Sequence, residues 1–182
     1  LEVEQINYSS TANLLNGLLD DLYEDYSVTN LNLDIEVNRD FIIYSGNGEI
    51  NDSPLKFEGE QKKVDDKFLD EIKGNLLYNG KNILEFFPGI IDQVSGILDL
   101  DFIINSDNND YKIEVIGSTE NLNLSSNFLG ENLAFNDGKI RLLVNPYDKK
   151  YSGFFDLKTN NVDIEINTVF TKSELLSIKI NK

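Results

Sequence analysis

The sequence predicts an all-β protein, and three observations carry that prediction. Apolar and polar residues alternate one for one over most of the 182 residues, the pattern of a strand with one greasy and one wet face. The alternating runs are separated by Asn-Gly, Asp-Gly and Asn/Asp-rich stretches, which supply the positive φ of tight hairpins. One segment keeps a clear helical period instead. The expected architecture is an elongated, curved antiparallel or mixed sheet with one minor helix. Its apolar side is the core of a closed β-sandwich or an open trough, and composition and alternation by themselves favour the sandwich.

The helical segment comes first along the chain. "TANLLNGLLDDLYEDY", residues 11 to 26, spaces Leu14, Leu18, Leu22 and Tyr26 by four, with Leu15, Leu19 and Tyr23 beside them. Thr11 is its N-cap, and the stripe of apolar side chains offsets the cost of about 1 kcal/mol for Gly17. The polar face holds Asp20, Asp21, Glu24 and Asp25 and no base, so packing onto the sheet is expected rather than a membrane surface. From residue 30 the period is two. "LNLDIEV" aligns Leu31, Leu33, Ile35 and Val37, and "PLKFEGE" alternates after a turn signal at Asn47-Gly48. "VDDKFLDEIK" reads as either a helix, with Val64, Phe68 and Ile72 in register, or a strand.

"GILDLDFIIN" puts Leu98, Leu100, Phe102 and Ile104 on one face. After the turn "SDNND" at 106–110, Tyr111, Ile113 and Val115 alternate, and a polar strand carries Leu122 and Leu124. Asp137-Gly138 precedes Ile140, Leu142 and Val144, and "NPYDKK" at 145–150 precedes Tyr151, Phe155 and Leu157. Val162, Ile164, Ile166 and Phe170 follow, and Leu176, Ile178 and Ile180 close the series. "LDIEVN" at 33–38 and "VDIEIN" at 162–167 echo one another, as stacked similar strands would. The apolar residues Ile97, Ile103, Ile116, Leu143, Phe154 and Val169 fall on the other face, where the helix or a neighbouring segment is expected to cover them. The whole chain reads as one domain, 1–182, with the sheet over 30–182.

Composition removes several function classes. There are 32 Asp and Glu against 16 Lys and Arg, a formal charge of −16. Such a chain repels phosphate backbones and anionic headgroups, so no nucleic-acid partner and no electrostatic membrane docking are expected. His and Cys are both absent, which removes the usual general base, the thiol nucleophile and most zinc sites. One Ser-x-x-Lys occurs, Ser53 to Lys56, but Pro54 lies inside it and the stretch alternates like a strand rather than a helix. Paired acids such as Asp99 with Asp101 and Asp34 with Glu36 read as a solvated strand face. "NSDNND" lacks the spacing and distal Glu of a calcium loop. The reading is a non-enzymatic protein without catalytic residues, metal or cofactor.

Residues 85–145 carry Pro88 ahead of Ser95-Gly96, a two-faced strand, a polar turn and a strand ending in Gly117, and in these features they resemble the TamB and AsmA-like family of bacterial envelope proteins. The polar strand "ENLNLS" and the motif "FNDGKI" at 135–140 follow, and "EIKGNLLYNG" at 71–80 resembles the same family's hairpins. The resemblance spans roughly residues 30 to 170.

It implies a β-taco: a long sheet curled into a trough whose lining shields phospholipid acyl chains between inner and outer membrane. The parent protein would be anchored in the inner membrane, reach through the periplasm and engage an outer-membrane assembly pore. The aromatic-ended tail of that family is missing, and Leu1 is not an initiator methionine, so an internal piece of a longer protein is expected. The lining would be the alternating residues named above, from Leu31 to Phe170. Two other readings stay open: a chaperone-like domain that adds extended client strands to its sheet edge and so assists outer-membrane protein assembly or secretion, and a closed structural or adhesin-type module.

Overall fold

In the computed structural model the residues described are 9–23, 26–64, 67–86, 92–107, 110–119, 122–126, 131–135, 137–145, 150–158, 163–170 and 175–181. Val162 and Pro88 lie outside them.

Eleven strands form one meandering sheet in which every neighbour pair is antiparallel. In spatial order they are β1 (Ser9–Tyr23), β2 (Tyr26–Asn38), β3 (Phe41–Ile50), β4 (Ser53–Val64), β5 (Lys67–Asn79), β7 (Ile97–Asp107), β8 (Asp110–Ser118), β11 (Asp137–Asn145), β12 (Lys150–Lys158), β13 (Asp163–Phe170) and β14 (Leu175–Asn181). β1 and β14 are both edges, so the sheet does not close on itself. A second sheet of three strands, β6 (Gln93–Ser95), β9 (Leu122–Ser126) and β10 (Glu131–Phe135), is inserted beside a 3₁₀ turn, Gly80–Phe86. Nearly all of the described chain is strand, and the sheet is open.

The helix expected over 11–26 is not there. Residues 9–23 are β1, and the sheet begins at Ser9 rather than at residue 30. The reason is the edge that β2 would otherwise expose. Its alternating backbone needs a ladder partner, and the preceding segment folds back to supply one from Ser9↔Asn38 to Tyr23↔Tyr26. The leucine period survives because a bulge breaks the register between Leu14 and Gly17. Asn16 takes φ 54 there, and its N–H donates to Asn32 Oδ1 at 3.2 Å. Asn13, Asn16 and Gly17 are poor in a helix interior and acceptable at a bulge. Asn13 and Ser27 add side-chain hydrogen bonds to Asp34 and Asp20.

Two smaller expectations resolve the same way. The segment that read as helix or strand is strand, β5. Asn47-Gly48 is not a turn but lies inside β3. The hairpin turns at Asn51-Asp52, with φ 48 and 60, the paired positive values of a two-residue hairpin loop.

The main sheet has one apolar face. Cross-strand partners define rows that run perpendicular to the strands. One row is Leu14, Leu33, Gly46, Phe57, Gly74, Phe102, Val115, Leu142, Gly153, Thr168 and Ile178. The next is Ala12, Ile35, Tyr44, Gly59, Ile72, Ile104, Ile113, Val144, Tyr151 and Phe170. Rows on one face stand about 7 Å apart, and ten inter-strand steps of about 4.8 Å make a face about 48 Å long.

Only one end of this face is covered. Leu98, Leu100, Tyr78 and Ile140 form a buried cluster with Leu122 of β9, and Val94 and Leu124 pack against it. A second buried cluster joins Val28, Leu31 and Leu55. A closed sandwich would bury the two rows above equally, and it does not occur: Leu33, Ile35, Phe57, Ile72, Phe102, Ile104, Val115 and Leu142 are only half-buried.

Candidate apolar groove

The candidate site is the uncovered part of the apolar face. Its side chains arrive there by alternation alone, since every second residue of each strand points to the same side. The register puts Leu31, Leu33, Ile35, Val37, Leu98, Leu100, Phe102, Ile104, Tyr111, Ile113, Val115, Ile140, Leu142, Val144, Phe155, Leu157, Ile164, Ile166 and Phe170 at positions on that one face. Leu122 and Leu124 belong to the small sheet and contribute cover. Leu31, Leu98, Leu100 and Ile140, at 4, 4, 8 and 6% exposure, are sealed core. The open strip thus lies between the small sheet on one side and the hairpin ends on the other.

That second side has a polar rim. Its row is Ser10, Val37, Ile42, Gln61, Asp70, Ser106 and Tyr111. Ser106 Oγ donates to Asp70 Oδ2 at 2.8 Å. Tyr44, half-buried one row in, has its phenol pushed above the usual tyrosine range, first by burial and then by the negative charge of Asp70.

The floor of the strip is made of aromatics laid over glycines. A Cβ at Gly46 would stand 2.8 Å from Phe57 Cζ, one at Gly59 2.5 Å from Tyr44 Cζ, and one at Gly74 2.2 Å from Phe102 Cζ. Each ring therefore crosses the neighbouring strand at the one position without a side chain. Rings that lie down leave the strip shallow and wide.

No family model, no curated protein and no solved structure matches the chain. The functional reading stands on this geometry and on the sequence pattern.

The opposite face is polar and solvated. A depression of about 510 Å³ lies there over the backbone of Gly46, Phe57 and Gly74, walled by Asn32, Asp34, Asn47, Lys56, Glu58 and Lys73 among others. Lys73 pairs with Glu71 at 2.6 Å, and that hydrogen bond and charge hold its ammonium above the usual lysine range. Asn32 donates to Asn47 Oδ1 at 3.1 Å, and Asn75 donates to Asp99 and Asp101. Among the described residues no helix shelters the outward apolars: Ile97, Ile116, Leu143 and Phe154 are exposed, and Ile103 and Val169 are half-buried. Ile103, Ile116, Leu143, Phe154 and Val169 step diagonally over five adjacent strands.

The Ser-x-x-Lys pair cannot act together. Ser53 is fully buried, donates to the Asn51 carbonyl and accepts from Asn79 N–H at 3.1 Å, while Lys56 alternates to the outward face. Among the described residues no group of acids is placed to hold a metal ion, and no helix is long and apolar enough to cross a membrane.

Sequence reasoning missed the middle of the face. Ile42, Tyr44, Leu55, Phe57, Ile72, Leu76 and Tyr78 all lie on it. The usable signal was an inward glycine on one strand and an aromatic on the next, in "IIYSGNG", "PLKFEGE" and "EIKGNLLY".

Proposed function

We propose that this chain is a lipid-shielding segment: its half-covered apolar face holds phospholipid acyl chains out of water while they move along the sheet. The single observation that carries the reading is an apolar strip from β2 to β11 whose described side chains, Leu33, Ile35, Phe57, Ile72, Phe102, Ile104, Val115 and Leu142, are only half-buried. The resemblance to TamB and AsmA-like envelope proteins supports the same reading and supplies its setting, transport between inner and outer membrane through the periplasm, with the parent protein anchored in the inner membrane and joined to an outer-membrane assembly pore.

Magnitudes favour an open face over a sealed pocket for this task. A chain of about fifteen carbons exposed to water costs roughly 12 kcal/mol at about 0.8 kcal/mol per CH₂. A face that covers one side recovers roughly half, about 6 kcal/mol, which holds the chain without trapping it. No catalytic residue and no cofactor enter such a process.

A free edge favours a second reading, a chaperone that pairs extended clients. β1 carries exposed Leu15 and Leu18, at 73 and 64%, on an unpaired edge. The bulge at Asn16 interrupts that edge, so the apolar face remains the stronger site.

Native mass spectrometry of the purified chain after incubation with phospholipid tests the proposal. Adducts of phospholipid mass are expected; a clean apo mass after lipid challenge refutes it.

A further inference from the structure

Across β2 to β13 of the main sheet, one described carboxylate occupies an inward position: Asp70, at the polar rim. The inward positions around it are Gln61 and Ser106 directly across, with Phe68 and Ile72 along its own strand. Lys63, two residues beyond Gln61 and paired with Phe68, is the one inward cation of the same strands. Lys63 is tied through its backbone N–H to the Asp40 carbonyl at 3.1 Å, which fixes the strand end while the side chain stays exposed. The hydrogen bond from Ser106 is one that a serine at position 70 could also accept, so that bond by itself does not call for a charge at the rim. One Asp70 oxygen accepts from Ser106, and a carboxylate has further lone pairs free for a donor.

Building on the lipid-shielding reading, we propose that Asp70 and Lys63 read the headgroup of the bound lipid and select a zwitterionic, amine-bearing headgroup over an anionic one. Acyl chains lie along the two open rows, which run parallel to the rim, and the headgroup emerges beside it. The ammonium approaches Asp70, and the phosphate approaches Lys63 on the neighbouring strand. An anionic headgroup without an amine brings the same carboxylate hydroxyl donors at most and no cation, and it carries a net negative charge toward a chain of formal charge −16. The partly buried position of Asp70 weakens solvent screening of its charge, so one such contact supports a preference of roughly tenfold.

The test is native mass spectrometry of the chain with equimolar phosphatidylethanolamine and phosphatidylglycerol of identical acyl chains. Wild type is expected to carry roughly tenfold more of the ethanolamine adduct. Asp70→Asn should bring the ratio to about one with total lipid occupancy nearly unchanged, and Glu71→Gln, on the outward face next door, should leave it alone. Raised ionic strength should shrink the wild-type ratio, which tests the charge without any variant. Equal adducts in wild type, a salt-independent ratio, or an Asp70→Asn protein that keeps its preference overturns the headgroup assignment and leaves lipid shielding standing. Absence of both adducts overturns both.

Discussion

Gly74→Ala is the most informative single perturbation of the groove floor. The added Cβ would stand 2.2 Å from Phe102 Cζ, 2.6 Å from Phe102 Cε1 and 2.4 Å from the Lys56 carbonyl oxygen. Two terms compete. Replacing glycine by alanine removes unfolded-state freedom and stabilises by about 0.4–1 kcal/mol where the native backbone accepts it. Overpacking against a ring and a backbone oxygen costs about 1–3 kcal/mol. Because the carbonyl belongs to a strand laddered on both sides, it cannot move cheaply, and the net expectation is a loss of about 1–2 kcal/mol. Gly59→Ala is the control, since all three nearest atoms belong to Tyr44, at 2.5, 2.5 and 2.6 Å. In a Tyr44→Ala background Gly59→Ala should become stabilising, whereas Gly74→Ala should remain destabilising in a Phe102→Ala background, where the carbonyl still stands. Urea midpoints at unchanged m-value supply the four free energies of each cycle. If Gly59→Ala is neutral or stabilising in the wild-type background, the ring moves off without cost, and the aromatic-on-glycine floor is not a fixed feature.

Three further outcomes follow from burial and charge. Phe102→Asp, on the half-buried strip, should abolish lipid adducts with the circular-dichroism spectrum retained, while Leu98→Ala, in the covered cluster, should cost about 2–5 kcal/mol; collapse of the Phe102 variant would mark that row as closed core. Because the folded pKa of Tyr44 lies above its unfolded value, its contribution to stability is complete below about pH 10 and is lost as pH rises through the raised value. Tyr44→Phe should flatten that alkaline decline in thermal melts, and an unchanged decline would remove Tyr44 as its source. Leu15→Lys with Leu18→Lys should lower aggregation at the β1 edge without weakening lipid binding; loss of lipid binding would move the site from the face to the edge.

The alternating strands were legible because a period of two has one physical meaning when the polar face is this acidic. From β2 onward, runs such as Leu31 to Val37 and Leu98 to Ile104 fell where the register puts them. β1 was not legible, because Leu14-Leu15 and Leu18-Leu19 flank a bulge that restores a four-residue spacing inside a strand. That spacing is a local property, whereas the need of β2 for a partner is not, and the non-local term decided. Asn47-Gly48 misled for a related reason: Gly48 serves a close approach, with the Val28 side chain 2.7 Å and the Thr29 carbonyl 3.0 Å from where a Cβ would sit, and not a turn. The covered end was invisible for another. Nothing in "ENLNLS" says that Leu122 and Leu124 fold back onto Leu98 and Ile140, because sheet-on-sheet contact leaves no period in the sequence.

An apolar strip about 48 Å long should bring two copies together face to face, yet a groove that pairs with itself is closed to lipid. Charge offers the resolution. Each chain carries −16, and from β2 to β13 the described strand acids other than Asp70 stand at outward positions, so two faces that meet bring two strongly negative bodies within a few ångströms. An acyl chain is uncharged and meets no such barrier. On the lipid-shielding proposal, the acidity of the chain would keep the groove vacant for an acyl chain. Screening tests this directly, because the Debye length falls from about 10 Å at 0.1 M salt to about 3 Å at 1 M. Sedimentation velocity of the lipid-free chain should show a monomer at low salt and self-association at high salt, and prior loading with lipid should suppress the association. A chain that stays monomeric at 1 M salt, where hydrophobic contacts are favoured and repulsion is screened, would mean that the strip is already satisfied by the chain itself.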